Sequence, residues 1–359
     1  MRIGIIAASN LRYSPYIWFY TSILDHMEGV DYELVYPNRH GVQDAFSGTA
    51  HELPWNSSVP TALGYVLYSR QVIRVIRERK FDALIILTTN NAVFLGSWLR
   101  RHYAGRYMVD IRDYTHENIP PFFYLEKKAL EGSSLNVISS DRFRAFLPEG
   151  EYSVCHNLPK ELDAPAQPPR VFGPQDSVTI GYLGTGGYMD NCLALARLVL
   201  RDSRFHLRLY GPQLLETALP EEVFTQSQGR IQYCGSFTPD QKAQVISGVD
   251  VLFNIYGNGI PLLDYALSNK LYDALCFRKP ILTSPDTYMT EYAGPLAFSM
   301  ELKQEKDLQR LHSFLEDLDQ EQVERYASQT LERIVREQAA TRQRIQNQIS
   351  LFKEARKES

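Results

Sequence analysis

The stretch LSNKLYDALCFRKPIL, residues 267–282, sets an ammonium and a carboxylate three residues apart at the start of a short helix. Ser268 is a natural N-cap, which leaves the amides of Asn269, Lys270 and Leu271 free in the first turn. Lys270 adds a full positive charge to a helix end that already carries a partial one, and this is unfavourable unless an anion arrives there. Phosphate is such an anion, and lysine serves it as a point charge. Asp273 lies one turn deeper on the same face, where a carboxylate can accept hydrogen bonds from a vicinal diol such as ribose. Arg278, at the basic corner that follows, is a further candidate cation. The plainer reading is an exposed ion pair worth tenths of a kcal/mol; the placement of the lysine favours the anion.

Two other stretches could do chemistry. In VTIGYLGTGG, residues 178–187, Gly184, Thr185, Gly186 and Gly187 lead from an apolar strand into a helix near Asp190. Glycines admit a ligand close to the backbone, and a helix N-terminus offers N–H groups. A tight turn uses the same residues with no ligand, and both readings stand. The spacing is not G-x-G-x-x-G and no acidic ribose partner follows, so this is not a dinucleotide fingerprint. In DIRDYTHEN, residues 110–118, Asp113 and His116 are candidates for holding a sugar ring or a hydroxyl nucleophile. A loop tied by its own hydrogen bonds is the alternative.

The elements that must position these residues are legible from periodicity. Apolar runs IGIIAA, YELVY (32–36), ALIIL (83–87), YMVDI (107–111) and NVISS (136–140) alternate with helical patterns at 64–80 and 92–103. After the proline-rich, non-periodic ELDAPAQPPRVFGPQD (161–176) the rhythm resumes with TIGYL, FHLRLYG, IQYCG, DVLFNIY and PILTS. Continuous apolar strands separated by helices predict parallel sheets covered on both faces. The expectation is an α/β chain of two doubly wound, Rossmann-like domains, 1–160 and 177–304, joined by a linker at 161–176 and facing a central cleft. Ligands of such sheets bind outside the carboxyl ends of the strands. Residues 305–359 read as helical and pack back across the domains, with Val323, Tyr326, Leu331, Ile334 and Val335 marking one face of the long final segment.

Composition sets the class. The 359 residues are 44% hydrophobic and 22% charged, as in a globular protein. A net charge of −4 gives no sign of nucleic-acid binding. The four cysteines lie far apart, without metal spacing, and are expected reduced and mostly buried in a cytoplasmic protein. The N-terminus begins directly with a strand rather than a signal peptide, and no apolar run is long enough to span a membrane.

In their order, these segments resemble the GT-B glycosyltransferases, specifically the retaining, family 4-like group that uses nucleotide sugars. IGYLGTGG, LRLYGP, IQYCGSF, VISGVDVLF and SNKLYDALCFRKPIL are similar to that group's donor-domain segments, and DIRD, LEKKAL…LNVISS and SVCHN to those of its first domain. The likeness covers most of residues 1–300. It implies a donor, expected to be a UDP-sugar, held by Gly184–Gly187, Ser268, Asn269, Lys270, Asp273 and Arg278, with Asp273 in place of the group's ribose-binding glutamate. Asn10, Arg12, Ser14 and Glu117 would lie on the acceptor side with Asp113 and His116. Transfer would proceed with retention, Lys270 stabilising the departing diphosphate, and with no metal or other cofactor. Tyr265, Thr185 and Asp190 stand where the group often has a carboxylate or basic side chains, which leaves Lys270, Arg278 and helix ends to bind the diphosphate.

The acceptor expected is a saccharide, and a lipid-linked one, in cell-surface polysaccharide or capsule assembly, fits the basic and aromatic surface of the first half. Arg70, Arg74, Arg77, Arg79 and Lys80 on the helix at 64–80, with IPPFFYLEKK near by, suit peripheral contact with an anionic membrane at the inner face of the plasma membrane. An ordinary core helix with a solvated basic face accounts for the first of these equally well. A sugar-nucleotide epimerase of the same fold and a catalytically silent sugar-nucleotide-binding partner protein are the alternatives.

Overall fold

The computed structural model describes residues 1–42, 44–159, 170–304 and 306–357. Two compact units emerge: Met1–His156 together with the chain from Val335, and Asn157–Ile334. The part of the expected linker up to residue 169 lies outside the described residues. Just beyond it, Phe172 is buried in the core of the second unit.

Seven parallel strands build the first unit: β1 (Arg2–Ile6), β2 (Asp31–Asn38), β3 (Thr49–Pro54), β4 (Ala83–Leu87), β5 (Tyr107–Ile111), β6 (Leu135–Ile138) and β7 (Ser153–Val154), in the order β3-β2-β1-β4-β5-β6-β7. Four helices connect them: α1 (Ile17–Leu24), α2 (Thr61–Arg79), α3 (Thr89–His102) and α4 (Pro120–Glu131). The central strands are apolar on both faces because helices cover both, so β4 and β5 are buried along their whole length. β3, reading TAHELP, alternates exposed and half-buried residues as an edge strand; that polarity hides it from a search for apolar runs.

The second unit repeats the plan with six parallel strands: β8 (Val178–Leu183), β9 (Phe205–Tyr210), β10 (Ile231–Gly235), β11 (Val251–Asn254), β12 (Ile281–Thr283) and β13 (Ala297–Ser299), in the order β10-β9-β8-β11-β12-β13. Its helices are α5 (Met189–Arg201), α6 (Glu221–Gln226), α7 (Lys242–Ser247), α8 (Pro261–Tyr265), α9 (Asn269–Phe277), α10 (Tyr288–Ala293) and α11 (Asp307–Glu316). One apolar layer gathers Leu195, Val199, Leu207, Phe253 and Leu311. The other gathers Leu252, Leu271, Leu275, Ile281 and Tyr292.

The last helix, α12 (Gln320–Lys357), puts Val323, Ala327 and Ile334 into the core of the second unit and Ile345, Ile349 and Phe352 into that of the first. Tyr326 and Leu331 are partly buried on the same face, but Val335 is exposed. It follows Ile334 by a single position, which turns it about 100° around the helix toward water. Cys155, Cys192 and Cys276 are buried, and Cys234 is exposed.

A buried ion pair holds the end of β5. Asp110 is fully buried and accepts from the Tyr20 hydroxyl at 2.7 Å and from Arg112 Nη2 at 2.6 Å. Arg112 also donates to the Cys155 carbonyl at 3.0 Å. Removing one partner of a buried pair strands the other charge, at a cost of about 3–5 kcal/mol. Asp110→Ala is therefore expected to destabilise the protein by that amount and Tyr20→Phe by about 1 kcal/mol. Urea unfolding followed by far-UV circular dichroism checks the ranking.

Candidate functional site

In the second sheet the strand order reverses between β8 and β11, so the connections leaving these strands diverge and open a crevice at their carboxyl edge. Four segments of this unit converge there. From β8, Tyr182 is buried, and its hydroxyl donates to the Gly187 carbonyl at 2.9 Å while accepting from the Gly186 N–H at 3.1 Å. It thereby folds the Gly184–Gly187 loop onto the strand that precedes it. Burial pushes the Tyr182 phenol up to about 12, so it remains a donor. Gly186 has φ of +98°, open to glycine and strained for other residues. A side chain at Gly211, at the tip of β9, would run into the Gly184 carbonyl.

Tyr188, in left-handed conformation at the N-cap of α5, stacks on Tyr256 with centroids 4.3 Å apart and planes 18° from parallel. The backbone N–H groups of Tyr256 and Gly257 donate to Ser284 Oγ at 3.1 and 2.8 Å, which fixes the loop after β11 against the end of β12. Into this frame comes Lys270 from the first turn of α9. It is only 9% exposed; its Nζ donates to the Tyr256 hydroxyl at 2.5 Å and lies 5.7 and 5.1 Å from the ring centres of Tyr182 and Tyr256. Among the described residues no carboxylate pairs with it. The tyrosine faces offset part of the desolvation of a cation, but an ammonium buried without a counter-ion is costly.

Ser268 occupies the N-cap of α9, but its hydroxyl turns to Asn254 Oδ1 at 2.7 Å instead of capping the helix. The N–H groups of Asn269 and Lys270, at the first turn, have no acceptor within the helix. Asn269 and Thr185 are exposed. Asp273 is 4% exposed and forms an ion pair with Lys242 of α7 at 2.5 Å, so a diol would meet a carboxylate already held by a cation. Arg278 stands apart from this cluster. It lies at the other end of α9, about 12 Å along the axis from Lys270, where its guanidinium donates to the carbonyls of Leu275 and Cys276 and pairs with Glu324. A basic side chain at a helix C-terminus is favoured there by the dipole and by the unsatisfied carbonyls.

In the first unit the expected acceptor-side residues divide into scaffold and surface. Asn10 is fully buried: its amide donates to Asn38 Oδ1 and the Val42 carbonyl, and its Oδ1 accepts from the N–H groups of Arg39 and His40. Arg12 pairs with Asp44 at 3.1 Å, and Ser14 is buried beside Tyr16. Glu117 turns inward to accept from the N–H and hydroxyl of Thr115 at 2.6 and 3.0 Å. Asp113 and His116 are exposed. Asp113 is crowded by protein on its other sides, which raises its carboxyl even with Arg112 adjacent.

Behind this loop, Glu126 of α4 is fully buried, with both carboxylate oxygens unpartnered. Burial, with Glu117 near by, pushes it up to about 8. The folded state holds this proton between pH about 4.5 and 8, where the unfolded chain has lost it. Stability is therefore greatest below the unfolded value and declines as pH rises to about 8. Glu126→Gln is expected to gain melting temperature relative to the parent, and to gain more at pH 8 than at pH 5. Differential scanning fluorimetry at the two pH values checks the trend.

The sequence points to Lys270, Ser268 and the glycine loop but not to the tyrosines that frame them. The available signal is a tyrosine beside glycine at two strand ends, IGYLG and NIYGNG.

No protein-family model matches this chain, and neither does any curated protein sequence. Solved structures do match along nearly its whole length. The trehalose 6-phosphate synthase of Burkholderia multivorans is 9% identical, with a TM-score of 0.66 over 99% of this chain and 100% of that one. HepE of Anabaena, solved in complex with UDP and glucose, is 12% identical, with a TM-score of 0.66 over 98% and 99%. A UDP-N-acetylglucosamine 2-epimerase is 12% identical, with a TM-score of 0.60 over 91% and 90%. The chain has the GT-B fold.

Proposed function

We propose that this protein is a glycosyltransferase that moves a sugar from a UDP-sugar held by the second unit to a saccharide acceptor bound by the first, with retention at the anomeric carbon. The observation that carries the reading is Lys270: a buried ammonium with no carboxylate partner among the described residues, at the N-terminus of α9 and beside a glycine loop at the switch point of a parallel sheet. A diphosphate supplies the missing counter-charge. The amides at the start of α9 and in the loop at 184–187 would add hydrogen bonds to its oxygens. As the sugar departs, negative charge grows on the diphosphate, and donors fixed in a site of low dielectric stabilise that growth more than they stabilise the bound donor. Tyr256, held by Lys270 and by the Ser284 hydroxyl, would present its stacked partner Tyr188 to the base or the sugar.

Lys270→Ala is expected to weaken UDP binding about 10- to 100-fold, corresponding to the roughly 1.5–3 kcal/mol of a hydrogen bond to a charged group. Calorimetric titration of UDP into both proteins measures it. Equal affinity would remove the donor assignment.

The likeness to a 2-epimerase supports a second reading on the same donor site. Incubation with UDP-N-acetylglucosamine and no acceptor separates the two. An epimerase yields a new UDP-sugar or its elimination product, a transferase does not, and binding without turnover under any acceptor would mark a silent partner.

The acceptor we infer is lipid-linked, in cell-surface polysaccharide assembly. Ile119, Tyr124 and Leu125 are exposed around the start of α4, and Lys127 follows them. Apolar side chains flanked by lysines suit an anionic membrane surface, and no helix among the described residues is long and apolar enough to cross a membrane. On α2, Arg70 and Arg77 are exposed while Arg74 pairs with Glu78. Co-sedimentation with anionic vesicles should exceed that with neutral ones and should fall for Tyr124→Ser/Leu125→Ser; binding equal for both lipids would contradict membrane contact.

A further inference from the structure

In the first unit, β2 and β3 run parallel and in register up to Asn38 and Pro54, so the next residues, Arg39 and Trp55, leave the sheet side by side. The Arg39 guanidinium lies over the Trp55 ring, 3.8 Å from its centre, and 4.7 Å from that of Tyr65 on α2. Tyr65 is backed in turn by Phe94 of α3, stacked at 5.3 Å and 7°. The backbone of Arg39 is fixed as well, because its N–H donates to the buried Asn10 side chain at 2.9 Å. A flat cation fixed this firmly normally has an acceptor for its N–H groups.

Arg39 has none. Its Nε and Nη2 are shielded from solvent and make no hydrogen bond, and among the described residues it forms no ion pair. The carboxylates of the neighbouring segments have other partners. Glu52 accepts from Tyr36 and Asn38, Asp44 from Leu11 and Arg12, and Glu33 from Arg79. A half-buried guanidinium with two idle donors, and with no ion-pair partner among the described residues, is costly unless a ligand completes it.

The neighbouring edge of the sheet points the same way. In the order β2-β1-β4, the tip of β4 lies two strand spacings from that of β2, about 10 Å. There Thr88 caps α3 with φ of 76° and ψ of 147°, a region that a β-branched residue scarcely enters. The hydroxyls of Thr88 and Thr89 have no partner, and Thr89 is 1% exposed. Idle hydroxyls and free helix amides at a strained turn form a second set of donors on the same edge, at the point where this sheet also reverses its strand order.

We propose that Arg39, framed by Trp55 and Tyr65, receives an oxyanion of the acceptor, a phosphate monoester or a carboxylate, with Thr88, Thr89 and the start of α3 contacting its polar remainder. The proposal names the acceptor class within the transferase reading and rests on it for the word acceptor. The anion site itself requires only the first unit.

The test is calorimetric titration of glucose 6-phosphate, glucuronate and glucose into the full chain and into Arg39→Gln and Arg39→Lys. The parent is expected to bind at least one charged sugar tenfold or more tighter than glucose, and whichever is tighter identifies phosphate or carboxylate as the source. Arg39→Gln abolishes the preference and Arg39→Lys retains part of it. Equal affinities for charged and neutral sugars, absence of binding by all three, or a preference that survives Arg39→Gln would overturn the proposal. UDP titrated into the same preparations reports on folding and on the donor site. Its failure with the parent protein would remove the transferase reading and leave the Arg39 result standing.

Discussion

The second unit of this molecule is organised around a cation with no carboxylate partner among its described residues. Lys270 is buried among tyrosines at the start of α9, hydrogen-bonded to Tyr256 and facing two aromatic rings, with no carboxylate beside it among the described residues. Each neighbouring feature acts to keep that cation in place. Tyr182 fastens the glycine loop, Ser284 fastens the loop that carries Tyr256, and Asn254 draws the Ser268 hydroxyl away from the helix end. Asp273, one turn further along the same helix, is paired with Lys242.

The same logic recurs in the first unit at a different strand end. Arg39 is held by aromatic faces and a buried asparagine, and its neighbouring acids are engaged elsewhere. Both cations stand at carboxyl edges of parallel sheets whose strand order reverses close by. Parallel sheets force this placement, because each crossover returns the chain to the amino edge and leaves only the carboxyl edge with loops free to vary. Two sheets of one plan thus supply two loop-bearing carboxyl edges, one with a glycine loop and one without.

Much of the fold was legible in the sequence because central parallel strands are apolar on both faces; ALIIL and YMVDI appear in the structure with the boundaries that their composition suggests. The edge strand TAHELP and the short AFS were not, since polar alternation and brevity remove the signal. The candidate site was legible where a residue was electrostatically misplaced, as Lys270 is at a helix N-terminus. It was not legible where a residue was well placed for a structural reason. Arg278 satisfies the C-terminus of α9 and Asn10 ties down a loop, and nothing in the local sequence distinguishes these tasks from binding. Tyr256 and Arg39 depend on register between distant strands, which a single sequence does not display.

The central claim is that the second unit binds a nucleoside diphosphate. The most direct measurement is the melting midpoint of the wild-type protein across a titration of UDP, GDP, ADP and their sugars. Binding to the folded state at about a hundred times the dissociation constant adds roughly 2.7 kcal/mol of stability. The account predicts a midpoint that rises with UDP and with at least one UDP-sugar. A midpoint unmoved by every diphosphate at millimolar concentration would contradict it.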